Sequence, residues 1–267
     1  MIKETVKISA VSFAFLLLAH PVFAAPTGPV ASERWGIGFE YNILNDRDLD
    51  SDSTTFQEFE VTNSDQFYGI GSVRMYQDRK VKVNVYAKLG SANLSTTALT
   101  TNGTSESIDY DYGLLWGIGG NYIYEIDPTM HFVLDMQYVS FSPEFDKVVF
   151  NGSTGISPIA SDPDVQEYQI SMILRKEVGA FNLEGSPVRI IPYGGVDFSW
   201  FDIDSGAIGY RDSNGNARGS ETGGDGDDVF GVVLGTEFLT LNNALRLRVD
   251  GRLVNEEAIA LSGEVLF

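Results

Sequence analysis

Alternation constrains this chain more than any other feature. Trp35, Ile37, Phe39, Tyr41 and Ile43 are separated by Gly36, Gly38, Glu40 and Asn42. Val81, Val83, Val85, Ala87 and Leu89 are separated by Lys82, Asn84, Tyr86 and Lys88. The same period of two returns over Trp116–Tyr124, Met130–Tyr138, Tyr168–Leu174, Val196–Trp200, Phe230–Phe238, Leu245–Leu253 and Ile259–Phe267. A tenth segment, Gln66–Tyr76, fits with Val73 and Met75 on one face and Tyr68, Ile70 and Arg74 on the other. Successive side chains of a strand point to opposite faces, so each segment is a strand with one apolar side. Ten strands of roughly 10 to 13 residues are about the length that crosses a bilayer when tilted.

The connections alternate in length. Gln77–Lys80, Ile126–Thr129, Leu239–Asn243 and the somewhat longer Val178–Val188 are short. Leu44–Asp65, Ala92–Asp109, Ser142–Val165 and Asp202–Asp228 read as long polar loops. Short turns at one rim and long loops at the other mark a closed antiparallel transmembrane β-barrel. Closure is obligatory there, because lipid offers no hydrogen-bond partner to an open sheet edge. The all-β assignment is therefore a ten-stranded barrel, with eight strands as the alternative if Val254–Glu257 is not a true hairpin. A soluble sandwich or lipocalin-like barrel shows the same alternation with its apolar face inward.

The N-terminal segment favours the membrane. Lys3 and Lys7 precede the apolar run Ile8–Ala19, and Val22-Phe23-Ala24 supplies a small-residue cleavage site. Residues 1–24 read as a cleaved signal peptide, 25–33 as a short periplasmic lead and 34–267 as the barrel. Export through such a signal places the barrel in the outer membrane of a Gram-negative cell envelope. The chain has no cysteine, so thiolate and disulfide chemistry are excluded. A formal net charge of −19 lacks the basic footprint that nucleic acid requires. The sequence closes on Glu264-Val-Leu-Phe267, a large apolar residue in mid-pattern, which should face lipid at the periplasmic interface.

The stretches "LLWGIGGNYIYEID" and "IPYGGVDFSWFD" and the closing "SGEVLF" resemble small outer-membrane β-barrel proteins of the OmpA-transmembrane-domain, OmpW and opacity-protein type. The resemblance is one of pattern and covers the chain after its signal peptide. It implies that Phe267 is the assembly signal read by the barrel-assembly machinery. Ten-stranded omptin proteases resemble a barrel carrying an Asp pair and an Asp–His pair at the outer rim. Here His131, the one histidine after the signal peptide, sits beside the short turn Asp127-Pro128-Thr129, at the opposite rim. Its surroundings, Met130-His131-Phe132-Val133, also lack the serine arrangement of a lipid A deacylase, and no Gly-x-Ser-x-Gly is present. No catalytic constellation emerges, so the chain is expected not to be an enzyme.

Parity places Glu40, Arg74, Lys82, Lys88, Asp135, Arg175, Glu177, Asp197, Glu237, Arg246, Arg248, Asp250, Arg252 and Glu264 in the lumen. In a narrow barrel unpaired charges are costly. One reading is a paired network that fills and closes the lumen. The other is a porin-like channel for small solutes, with Arg246, Arg248 and Arg252 as a basic ladder. Acidic loops lie outside. "NDRDLDSDS" spaces Asp46, Asp48, Asp50 and Asp52 two apart, but Ser51 replaces the turn glycine of an EF-hand and Gln57 its last ligand. "GGDGDDVF", with Asp225, Asp227 and Asp228, is one copy of a repeat that binds calcium only when stacked. No cofactor is expected beyond weak divalent cations in these loops, which would bridge the carboxylates to lipopolysaccharide. The expected partners are outer-membrane lipid, lipopolysaccharide and the assembly machinery. The functional readings are a structural, envelope-integrity or surface-interaction barrel, and the small channel.

Overall fold

The computed structural model describes residues 34–51, 56–100, 105–150, 153–154, 156–159, 162–183, 186–204, 207–211, 217–221, 224–226, 229–240, 244–254 and 256–267. The signal peptide and lead expected over residues 1–33 lie outside them. The described residues form strands and turns, with no helix. The barrel strands are β1 (Trp35–Ser51), β2 (Phe56–Gln77), β3 (Val81–Thr100), β4 (Ser105–Asp127), β5 (Met130–Phe150), β6 (Asp164–Lys176), β7 (Ser186–Asp204), β8 (Phe230–Thr240), β9 (Leu245–Leu253) and β10 (Glu257–Leu266). Each pairs antiparallel with its sequence neighbour, and β1 pairs with β10, so ten strands close on themselves. At the seam Phe267 and Trp35 exchange two backbone hydrogen bonds of 3.0 Å. The segment before Glu257 is a true hairpin, for β9 and β10 are in register from Leu245↔Val265 to Arg252↔Ala258. Its turn holds Val254 at φ 91°, a conformation that a β-branched residue rarely adopts.

Several expected loops are strand. β1, β2, β3, β4, β5 and β7 run well beyond their apolar-faced segments, so most of Leu44–Asp65 and Ala92–Asp109 belongs to a projecting wall. Strand β3 shows why this extension is stable. From Val81 to Leu89 its outward residues are apolar, while inward Asn84 and Lys88 are buried. From Ser91 upward the outward residues are Ser91, Asn93, Ser95 and Thr97, and inward Ala92, Leu94 and Ala98 are buried. The inside and outside exchange chemistry without a break in the strand. Above the change the interior is an apolar core built from Leu49, Phe59, Val61, Leu94, Ile108, Tyr110, Leu115, Phe141, Val165, Phe201 and Ile203, and the cluster continues below it through Leu44, Tyr68, Ile70 and Tyr86. Burying that surface is what favours strand over loop.

Register shifts mark the same level. Those at this level fall between Leu44 and Asp46, Val61 and Asn63, Ala92 and Leu94, and Asp111 and Leu114, while others lie at Phe56/Glu58, Asp109/Tyr110, Arg74/Tyr76 and Glu125/Asp127. A bulge adds one residue to a strand and reverses which parity points inward. Below its bulge β1 buries Glu40, Asn42 and Leu44; above it, Arg47 and Leu49. Aromatic rings lie on the outside near this level, with Trp116 5.4 Å from Tyr138 and Tyr138 4.7 Å from Tyr168 between ring centres.

Strands β8, β9 and β10 are only 11, 9 and 10 residues long and do not join the projection. A three-residue strand, Gly224–Gly226, takes their place. It pairs with β1 through Leu49↔Gly226, Asp50↔Asp225 and Ser51↔Gly224, and with β7 through Asp202↔Asp225 and Ile203↔Gly224. The wall thus has ten members below and eight above, the upper ring running through β1 to β7 and this short strand. At the other rim Gly179–Leu183 pairs with Ser186–Ile190 and lengthens the β6–β7 hairpin, where a plain connection was expected. A separate sheet joins Ile156–Ile159, Ala207–Arg211 and Ala217–Glu221 beyond the long-strand end.

Candidate functional site in the barrel interior

The polar inward side chains of the ten-stranded part are arranged in layers, with small apolar clusters such as Ile123, Val133, Ile173 and Val233 buried near the short-turn rim. Glu40 of β1 is fully buried. It accepts a hydrogen bond from the Tyr68 hydroxyl and forms ion pairs with Lys88 (3.1 Å) and Arg248 (3.2 Å). Lys88 Nζ also donates to Gln137 Oε1 at 2.8 Å, and Gln137 donates through its side-chain amide to Gln169. Gln169 Nε2 donates to Asp197 Oδ2 at 3.3 Å, and Asp197 pairs with Arg252 at 3.4 Å. Contacts therefore pass across the lumen from β1 through β3, β5, β6 and β7 to β9. Tyr86 donates to Asp135 at 3.0 Å beside this path, and Arg248 Nε lies 2.9 Å from Asp250.

Towards the short-turn rim a second group gathers. Arg246 pairs with Glu264 (2.8 Å) and Glu237 (3.6 Å), Arg175 pairs with Glu237 (3.1 Å), and Ser72 Oγ donates to Glu264 at 2.6 Å. A cavity of about 10 Å³ lined by Glu40, Arg246, Arg248 and Glu264 separates the two groups, with room for about one water. Arg74 and Lys82 are half-buried near the short-turn rim, where Arg74 donates to Gln77. His131 is opposite Glu125 and Arg175 at that rim and carries no nucleophile beside it in register.

The uppermost polar layer holds three residues outside the parity-derived set: Arg47, Glu167 and Glu256. Arg47 is 1 % exposed. Its Nη1 lies 3.0 Å from Glu256 and 3.4 Å from Glu167, and its guanidinium donates to Ser199 and packs 4.6 Å from the Phe201 ring. Arg252 pairs with Glu256 at 2.8 Å and lies 3.8 Å from Glu167. The three arginines of the supposed basic ladder, Arg246, Arg248 and Arg252, are each matched by carboxylates. Above Arg47 the interior is the apolar core.

The acidic residues expected in loops are arranged otherwise. Asp46, Asp48 and Asp50 lie on β1, and their two-residue spacing is that of one strand face, turned outward by the bulge. Asp46, Asp48 and Glu60 have carboxylate oxygens within 4.8 Å of one another, on the outer surface of the projection. Burial, and next the neighbouring Asp48 charge, holds the Asp46 carboxyl above its ordinary value. Asp225 is in the three-residue strand, so the Gly-Gly-Asp-Gly stretch serves as wall; Asp227 and Asp228 lie outside the described residues.

No protein-family model matches the chain, and no curated protein matches it. Among solved structures it is similar to the transport unit of the autotransporter AIDA-I from Escherichia coli, at 11 % identity and TM-score 0.37, covering 94 % of this chain and 95 % of that one. It is also similar to the translocator domain of the autotransporter NalP from Neisseria meningitidis, at 9 % identity, TM-score 0.43 and 87 % of each chain. The toluene transporter TbuX of Ralstonia pickettii matches at 10 % identity and TM-score 0.36, over 89 % of this chain and 90 % of that one.

Proposed function

We propose that the chain is an outer-membrane β-barrel with a closed lumen, serving a structural, envelope-integrity or surface-interaction role. The apolar band outside the ten-stranded part faces lipid, the short turns face the periplasm, and the projection with its acidic outer surface faces the exterior. The observation that carries this reading is the double closure of the interior. Ion pairs and side-chain amides link strands across the lumen, and an apolar core fills the wall above them. A solute pathway needs a continuous wet route, whereas paired buried charges resist separation because each would be left uncompensated.

Phe267 faces outward at the seam, where the resemblance to small outer-membrane barrels makes it the signal for the assembly machinery. The acidic outer surface stands next to the level of lipid headgroups, and divalent cations would bridge it to lipopolysaccharide. The test is electrical. Mature protein refolded into planar bilayers should show no stable conductance steps, and neither should Arg248→Ala. Reproducible steps in the wild type, altered in size by Arg248→Ala, would overturn the closed-lumen reading in favour of a small channel.

A further inference from the structure

The three-residue strand Gly224–Gly226 crosses a gap that the short β8, β9 and β10 leave in the projecting wall. It is held by three register pairs to β1 and two to β7. Its glycines allow a close approach. A Cβ on Gly224 would lie 2.5 Å from the Asp50 carbonyl oxygen, and one on Gly226 would lie 3.0 Å from Arg47 Nη2. Arg47 is thus enclosed between this strand and the β9–β10 turn, whose Glu256 it pairs with at 3.0 Å. Below the gap the ten-stranded ring is complete without Gly224–Gly226.

The charges on the outer face oppose this closure. Asp50, Asp225 and Asp202 are directly opposite one another across two adjacent seams, and all three are exposed. Directly opposed side chains on one face have Cβ atoms about 4.5–5.5 Å apart, and like charges there are destabilising. Asp48 and Glu60 add negative charge on β1 and β2, while Arg47 lies beneath on the inner side.

We propose that residues 224–226 are a releasable strap over a side opening in the projecting wall, closing as cations screen the opposed Asp50–Asp225 pair and loosening as they are withdrawn. The ten-stranded ring stays intact in both states. Any ion can screen the Asp50–Asp225 pair, so closure follows ionic strength and requires no bound metal.

Amide hydrogen exchange of the full mature chain in lipid nanodiscs tests this, comparing about 0.01 M with about 1 M NaCl, where screening lengths are about 30 and 3 Å. Exchange of the strap amides should slow about twofold on adding salt, in keeping with one exposed like-charge pair. The exposed, near-isosteric Asp225→Asn should slow it at low salt and remove most of the salt response. Amides of residues 231–239 in the complete ring report on folding and should not change. Strap amides as protected as that ring at low salt, or a rate indifferent to both salt and Asp225→Asn, would overturn the proposal.

Discussion

Val85 and Thr97 lie on the same outward face of β3, and Lys88 and Leu94 on the same inward face, yet they answer to opposite surroundings. In the lower part of the strand the inside is charged and the outside apolar; in the upper part the inside is apolar and the outside polar. The lower half is held by paired charges inside a wall whose outer face is apolar. The upper half is held as a water-soluble protein is held, by a buried apolar core. One strand geometry serves both, because a strand specifies only which side chains share a face and not which face is wet.

The largest effect that separates the halves is expected at Arg252, in the top polar layer. Arg252→Leu leaves the buried Asp197 without its cation and Glu167 and Glu256 with Arg47 alone. Urea unfolding in lipid vesicles should then show a loss of about 3–5 kcal/mol, the usual consequence of breaking a buried ion-pair cluster from one side. A loss below about 1 kcal/mol would mean that the layer is hydrated and that the lower interior is not closed. A smaller effect tests the exteriors. Val85→Lys should cost about 2–4 kcal/mol in the same assay if its level is mid-bilayer, and Thr97→Lys should stay within about 0.5 kcal/mol. Equal costs at the two positions would erase the distinction between lipid-facing and water-facing wall.

The smallest effect lies in the β4–β5 turn, outside both halves. Asp127 accepts hydrogen bonds of 2.8 Å from the Thr129 backbone N–H and hydroxyl, which hold its carboxyl below the ordinary value. A depressed pKa makes the ionised form the one that supports the turn. Its contribution is therefore present above the ordinary carboxylate value and is lost as pH falls through the folded one. Following the Thr129 amide by NMR through acid titration should give a midpoint below that of an unstructured aspartate, and Asp127→Asn should abolish the transition.

The ten strands were legible because the lower halves keep strict period two against a single surrounding, and the inward parity of Glu40, Lys88, Asp197, Arg248 and Arg252 follows from it. The projection was hidden by the same rule. "SANLSTTALT" looks polar as a whole, although Ala92, Leu94, Thr96 and Ala98 repeat every second residue and form a buried face, three of the four apolar. Arg47 was out of reach for a different reason. Continuing the β1 alternation would turn Asp46, Asp48 and Asp50 inward, and the bulge after Leu44 reverses that assignment. Glu167 did share parity with Gln169 and could have been included by extending β6 upward. Glu256 lies in a turn, where no periodicity applies, and its partners Arg47 and Arg252 meet it only in the folded barrel.

The order in which the chain is made gives the seam a further meaning. One edge of β1 pairs with β2, its immediate successor. The other edge is covered entirely by late sequence: Gly224–Gly226 above and β10 below. An early strand must therefore keep that edge unpaired until the final part of the chain has arrived, and such long-range pairing is slow. Both coverings then compete for neighbouring lengths of a single strand, so a slip of β10 along β1 would also displace the Gly224–Gly226 pairing. Closure of the barrel by β10 and of the projection by Gly224–Gly226 are thus both late events on the same edge of β1.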